Sequence, residues 1–305
     1  MTETTHLTSP GLLRRIIAFP LTLLVIEAAA LFALAIGYSF SANKLGMMDK
    51  GPIQFAGVLV LAGLIIGLWK LLHRWLERSE DREFAKVGAA KELGAGIAIG
   101  FALFSAMTGI VALLGGFEVL GLRGVGALWS MLSVGVFSGI FEETLFRGVL
   151  FRHIEAMLGS WAALAITSAV FGAAHLANPD GTPFAAVAVA MEAGILLSAA
   201  YLLTRRLWFA VGIHAAWNFT QGWVFSVPVS GGKAPLGLLI TRRIGPDWLT
   251  GGTFGLEASV PALVVATGAG VVMVIVAIRN GRIQPPMWRR VKAAPSSPVT
   301  HPIGE

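Results

Sequence analysis

The sequence predicts an all-α, polytopic membrane bundle of about eight transmembrane helices enclosing a polar cavity. Three observations carry that prediction. Hydrophobic residues make up 55% of the 305-residue chain and charged residues only 13%, with a mean hydropathy of +0.75. The apolar residues fall into runs of roughly 17 to 25 residues, the length that crosses a bilayer as a helix. A few ionisable residues nonetheless interrupt those runs, where each costs roughly 2.5–3.5 kcal/mol at the helix centre. The chain has no cysteine, which excludes disulfides and cysteine-based metal or redox chemistry. A net charge of +6 would suggest a nucleic-acid partner in a soluble protein. Here the cytoplasmic loops of a membrane protein account for it, and no nucleic acid is expected.

Residues 1–15 read as a polar cytoplasmic lead ending in Arg14-Arg15, and residues 16–278 as one membrane-embedded unit. The first span covers 16–40. Ala33-Leu-Ala35 resembles a signal-peptide cleavage site, but the run is too long for such a segment and contains Pro20 and Glu27, so a retained helix is expected. The second span covers 53–72. A charged helix should follow, because Lys70, Arg74, Arg78, Arg82 and Lys86 are four apart with acids between them. The third span, 94–114, opens with Gly94, Gly96 and Gly100, a small-residue face suited to close helix packing. Glycines between 115 and 126 mark a turn. The fourth span runs from about 126 to 152 and has Gly135 and Gly139 one turn apart. The fifth covers 160–177 and ends in the turn signal Asn178-Pro-Asp-Gly-Thr-Pro183. Spans six, seven and eight fall at about 184–203, 207–227 and 259–278. The basic, proline-rich stretch 279–305 is expected to be disordered. With the N-terminus inside, 17 of the 23 lysines and arginines lie on the cytoplasmic side or at cytoplasmic span ends. That asymmetry predicts cytoplasmic termini, in a plasma or inner membrane.

Three spans carry polar residues that a lipid-facing helix would not keep. Span four holds Glu142, Glu143 and Arg147. Glu143 and Arg147 are four apart and share a helix face, where they can pair, while Glu142 points about 100° away without a local partner. Span five carries His175, and span seven carries His214 and Asn218, again four apart and on one side. A glutamate and a histidine can deprotonate a water while imidazole or amide donors stabilise the resulting oxyanion. Glu142, His175 and His214 could alternatively ligate zinc with one position left open. Glu27 and Glu192 also lie within spans, and Glu257 precedes the eighth. Glu192 could line the same cavity.

In order and spacing, Glu142-Glu143-x-x-x-Arg147, Phe171-x-x-x-His175 and His214-x-x-x-Asn218 resemble the CAAX-protease and bacteriocin-processing family of intramembrane proteases. The resemblance covers about residues 125–225 and includes the stretch from Leu207 to Asn218. It implies an endopeptidase acting on a membrane-associated protein or peptide among membrane lipids. Glu142 and His175 would activate the water, and His214 and Asn218 would hold the oxyanion. Glu143 and Arg147 would support or position them. The resemblance leaves both a metal-free and a zinc-dependent mechanism open. The metal-free one is preferred, because no zinc signature such as His-Glu-x-x-His is present.

Two other classes compete. A non-enzymatic immunity or scaffold protein would not require both histidines. A proton-coupled transporter would be expected to show inverted repeats and paired broken helices, and neither is seen. One point resists the protease reading. At about 1.5 Å per residue, Glu142 and His214 fall in the cytoplasmic half of their spans and His175 in the outer half. They meet only if span five starts deeper or tilts, or if span four is shifted toward 130–155.

Overall fold

A computed structural model describes residues 11–48 and 50–290; the first ten residues of the expected lead and residues 291–305 of the expected tail lie outside the described residues. After a short turn at Leu12–Ile17, the chain forms α1 (Pro20–Lys44), α2 (Pro52–Glu77) and α3 (Ala89–Leu113). Next come the strand β1 (Phe117–Leu122) and a continuous helical run, α4, over 128–158. Helices α5 (Ser160–Ala177) and α6 (Pro183–Thr204) follow. Helix α7 runs over 208–224, the strand β2 is Leu239–Arg243, and α8 is Val260–Arg279. Six of these helices are long and apolar enough to cross a membrane: α1, α2, α3, α5, α6 and α8. The other two are the charged α4 and the shorter α7, which carry most of the polar constellation.

The helix boundaries have local causes. Pro20, Pro52 and Pro183 stand in first turns, where a missing N–H costs nothing. The Thr182 and Ser259 hydroxyls accept from the N–H groups of Ala185 and Ala262, capping α6 and α8. The charged helix expected after α2 does not continue. It stops at Glu77, with Arg78 in the left-handed region at φ 56°, and residues 78–88 form an irregular loop that folds back into the bundle. The reason is burial. Asp81 Oδ1 accepts from Trp69 Nε1 at 3.0 Å and from the Phe84 N–H at 2.9 Å, and Oδ2 from Lys70 Nζ at 2.7 Å. These bonds bring Phe84 into the core beside Trp69 and Phe151, a gain that a solvated helix could not offer.

The glycine-rich stretch and the long connection before α8, read as turns and loop, contain a small antiparallel sheet. Phe117 pairs opposite Arg243 and Leu122 opposite Leu239, with an irregularity between Val119 and Gly121. Helix α7 sits between two glycine faces. A Cβ at Gly96 or Gly100 of α3 would lie 2.3 Å from the Phe209 carbonyl oxygen or 2.4 Å from that of Ile213. On the other side, Gly135 and Gly139 of α4 would meet the Ala215 and Val211 oxygens at 2.8 and 3.0 Å. Absence of side chains on both neighbours thus lets the α7 backbone approach each of them, and His214 lies within the gripped segment.

Near the chain ends, Arg152 donates to both Glu77 oxygens at 2.7 and 2.8 Å and to Glu27 at 3.0 Å. The stretch beyond Arg279 was expected to be disordered. Its described part instead lies against α4 and α5: the Gln284 N–H donates to Ser160 Oγ at 2.8 Å, and Arg290 Nη2 to the Glu155 carbonyl at 2.9 Å.

The depth difficulty resolves through the extent of α4, which is shifted as one of the alternatives required. Glu142 is sixteen residues from the α4 end at Leu158 and His175 fifteen from Ser160, about 24 and 22 Å along ideal helices. The start of α7 is recessed instead, with the Leu207 N–H bonded to the Glu83 carbonyl of the folded-back loop at 3.0 Å.

Replacing Gly96 with alanine should destabilise the protein by about 1–3 kcal/mol, the usual cost of overpacking. Gly94→Ala, where nothing lies within 4 Å, should be neutral or stabilising; thermal unfolding in detergent compares the two. For Asp81, burial works to raise the carboxyl. The Lys70 ammonium, the Phe84 N–H and the Trp69 N–H together hold it below its ordinary value of 3.8. The unfolded chain therefore binds this proton more readily, so the contribution is present above that value and is lost as pH falls through the folded one. Unfolding midpoints of wild type and Asp81→Asn should accordingly converge on acidification.

Candidate active site

The middle of α4 is not a regular helix. Residues Ser138–Glu142 and Thr144–Phe151 form wide π turns, a geometry found mostly at functional positions. Here it presents Glu142 and Glu143 to different surroundings. Glu143 has 0% of its side chain exposed and Glu142 27%. Glu143 Oε1 accepts from Arg147 Nη1 at 3.0 Å and from His214 Nδ1 at 2.7 Å. Arg147, itself fully buried, spreads its other donors over α6: Nη2 reaches the Ala193 and Gly194 carbonyls at 3.1 and 3.2 Å, and Nε reaches Ser198 Oγ at 3.4 Å. Its guanidinium lies 4.8 Å from the Phe171 ring centre. A buried ion pair is tolerated only when its remaining polar atoms are also served, and the arginine meets that condition. Among the described residues, Glu143 Oε2 finds no partner.

Above this pair lies an open cleft of about 570 Å³ lined by Glu142, His175, His214 and Asn218. All four residues expected to do chemistry therefore border one space, with Glu143 and Arg147 beneath them. His214 Nε2 is 3.9 Å from Glu142 Oε2, beyond direct hydrogen bonding. His175 Nδ1 faces the Phe171 carbonyl oxygen at 2.7 Å. A carbonyl can only accept, so Nδ1 carries the proton and Nε2 of the neutral ring offers a lone pair. By the same logic the Glu143 carboxylate assigns a proton to His214 Nδ1. Ser138 Oγ donates to the Gly135 carbonyl and accepts from Asn218 Nδ2 at 2.9 Å, which fixes the amide orientation and leaves the second Nδ2 hydrogen free.

Sequence reasoning did not find Ser138, although it stands one turn before Glu142, nor Ser198, whose only signal is its place in an apolar span. Glu192 and Glu257 line a small adjoining cavity of about 30 Å³ behind His214 and Asn218, enough for one water. Burial pushes Glu257 up to about 7, against the lowering effect of the Ser230 and Gln221 hydrogen bonds. Glu27 lies elsewhere, buried against Arg152 and His153.

The donor atoms of Glu142, His175 and His214 do not all come within 4.8 Å of one another. Among the described residues, the group that brings one donor each within 4.8 Å of one another is Glu27, Glu77 and His153. There the Arg152 guanidinium already occupies the cation position. Each cleft histidine is held by Nδ1, to Glu143 and to the Phe171 carbonyl respectively, and keeps Nε2 toward the cleft, an orientation that a metal ligand and a free general base share.

Residues 124–220 match the family model described as Type II CAAX prenyl endopeptidase Rce1-like. The matched third of the chain contains Glu142, Glu143, Arg147, His175, His214 and Asn218. No curated protein and no solved structure matches the chain. A CAAX endopeptidase family on a chain with six apolar helices points to a protease within a membrane.

Removing Arg147 leaves the Glu143 carboxylate buried without its counter-charge. Arg147→Ala should therefore cost about 3–5 kcal/mol, seen as a lowered unfolding midpoint or loss of folded protein from detergent extracts. A variant as stable as the wild type would show that the pair contributes nothing net.

Proposed function

We propose that the protein is an intramembrane endopeptidase that hydrolyses a peptide bond of a membrane-associated protein or peptide without a metal. The observation that carries this reading is the meeting of a partly exposed carboxylate, a histidine with a free Nε2 and two donors at a single cleft. Glu142 and His175 Nε2 take a proton from a water whose oxygen attacks the scissile carbonyl carbon. The new C–O bond places negative charge on the carbonyl oxygen. The remaining Asn218 Nδ2 hydrogen and, when the ring carries its second proton, His214 Nε2–H donate to that oxyanion. Collapse of the intermediate breaks the C–N bond, and the proton held by Glu142 and His175 passes to the departing amine.

Glu143 and Arg147 act through His214. The carboxylate holds the ring by Nδ1 so that Nε2 faces the cleft, as the partner of a functional imidazole does elsewhere. The phenylalanines that line the cleft lower the local dielectric and strengthen each electrostatic contact. The family description names prenyl endopeptidases; whether the substrate carries a prenyl group is a separate question that cut-site mapping answers.

Glu142→Ala should abolish cleavage with the folded yield retained, and His175→Ala should lower it by about 10²–10⁴-fold, the usual worth of general-base catalysis. Asn218→Ala should cost about 10²–10³-fold, as loss of an oxyanion donor does. Mapping new protein termini in membranes expressing each variant at equal level supplies the readout. Identical maps for wild type, Glu142→Ala and His175→Ala would replace this reading with a scaffold role.

A further inference from the structure

The bundle has two unlike ends. One carries residues 11–20, the folded-back loop 78–88, the 158–160 junction, the 205–207 turn and residues 280–290. The other carries the small sheet, the 178–182 turn and the 225–238 connection. The cleft belongs to the second end. Its rim is formed by Asn178, Pro179, Ser230, Gly232, Lys233 and Pro235, and its floor by Leu145 and Phe146. Below that floor the first end is closed. Arg147 and Glu143 are fully buried, and beyond them Arg152 ties Glu27 to Glu77 while His153 adds a second contact to Glu27. Trp69, Phe84 and Phe151 fill the space between.

The two ends also differ in charge. Six lysines and arginines stand at the cleft end: Lys44, Lys50, Arg123, Lys233, Arg242 and Arg243. Fifteen others among the described residues stand at the closed end, and Arg147 lies within the bundle. Even the long connection between α7 and α8, residues 225–259, stays below the roughly 60 residues at which the lysine and arginine bias stops governing orientation. A basic end of this kind remains in the cytoplasm.

We infer that the scissile bond is presented from the non-cytoplasmic face of the membrane: the substrate is a peptide segment that leaves the bilayer on that face with apolar side chains next to the cut. The inference rests on the endopeptidase reading above and deepens it. Phe137 and Phe141 stack at 5.1 Å, and Phe32 meets Phe141 edge-on at 5.8 Å, so one wall of the cleft is aromatic. Phe32 and Phe137 are also exposed on the outer surface of the bundle, which lets that wall continue from lipid to the glutamate. Lys233 at the rim offers a cation to an acidic group or a free carboxylate of the bound segment. A peptide presented from the cytoplasm would meet a hollow lined largely by charged side chains, Arg82, Glu83, Arg152 and Glu155 among them, and behind it the ion pairs of Arg152 with Glu27 and Glu77.

The absence of native cysteine makes the orientation directly measurable. Val125 at the cleft end and Val87 at the closed end are both exposed and neither lines the cleft. In intact cells, a membrane-impermeant maleimide should label Val125→Cys, and should reach Val87→Cys only after the membrane is opened. The reverse pattern overturns the inference. Terminus mapping of wild type against Glu142→Ala then locates the cuts, which should fall in segments on the non-cytoplasmic face; cuts in cytoplasmic segments overturn it even when labelling is as expected. Should labelling agree while the two maps coincide, the endopeptidase reading falls and this inference with it, leaving the orientation alone standing.

Discussion

A charged pair inside a membrane bundle must be met by hydrogen-bond partners, and the Glu143–Arg147 pair, with Glu143 Oε2 left over among the described residues, sets the terms for everything near it. The guanidinium has five N–H donors to place. It places four of them on Glu143, on two α6 carbonyls and on Ser198, with its flat face toward Phe171 of α5. One side chain of α4 thereby fixes two neighbouring helices. The carboxylate reaches the third, α7, through His214. The cost of burying charge is offset by bonds that set the mutual positions of four helices, and the site is built on those positions.

Glycine does the complementary work. Helices α3 and α4 approach α7 closely because Gly96, Gly100, Gly135 and Gly139 have no side chain in the way. Packing of this kind suits a bilayer, where lipid tails are as apolar as leucine and close backbone contact must supply the attraction. It also holds the segment bearing His214 and Asn218 between two rigid faces, so that the positions of both side chains are fixed by the packing of the bundle.

The bundle separates its two tasks along its length. Closure is concentrated at the basic end, in the Glu27–Glu77–Arg152–His153 group and the aromatic cluster of Trp69, Phe84 and Phe151. The cleft lies at the other end, where short strands and a long connection leave room for it. Water for hydrolysis can then enter from one side without a continuous path across the membrane.

Much of this was legible in the chain. Hydropathy specified an all-α membrane bundle, since in hydrocarbon every backbone group must bond within its own helix or a closed barrel. The i, i+4 spacing placed Glu143 beside Arg147 and His214 beside Asn218, because helix periodicity is a local property. Expensive charges in apolar runs singled out Glu142, His175 and His214. Local rules could not say that the helix after Glu77 would break, because the gain comes from Phe84 entering a core built by residues far away in sequence. They misjudged the depths of Glu142 and His214 relative to His175, since helix stagger is decided by packing between elements. Glu142 and Glu143 are alike and adjacent in the chain. Only the tertiary structure made one a buried counter-ion, held by Arg147 and His214, and left the other facing the cleft, because burial and partners belong to the assembled bundle and not to either residue.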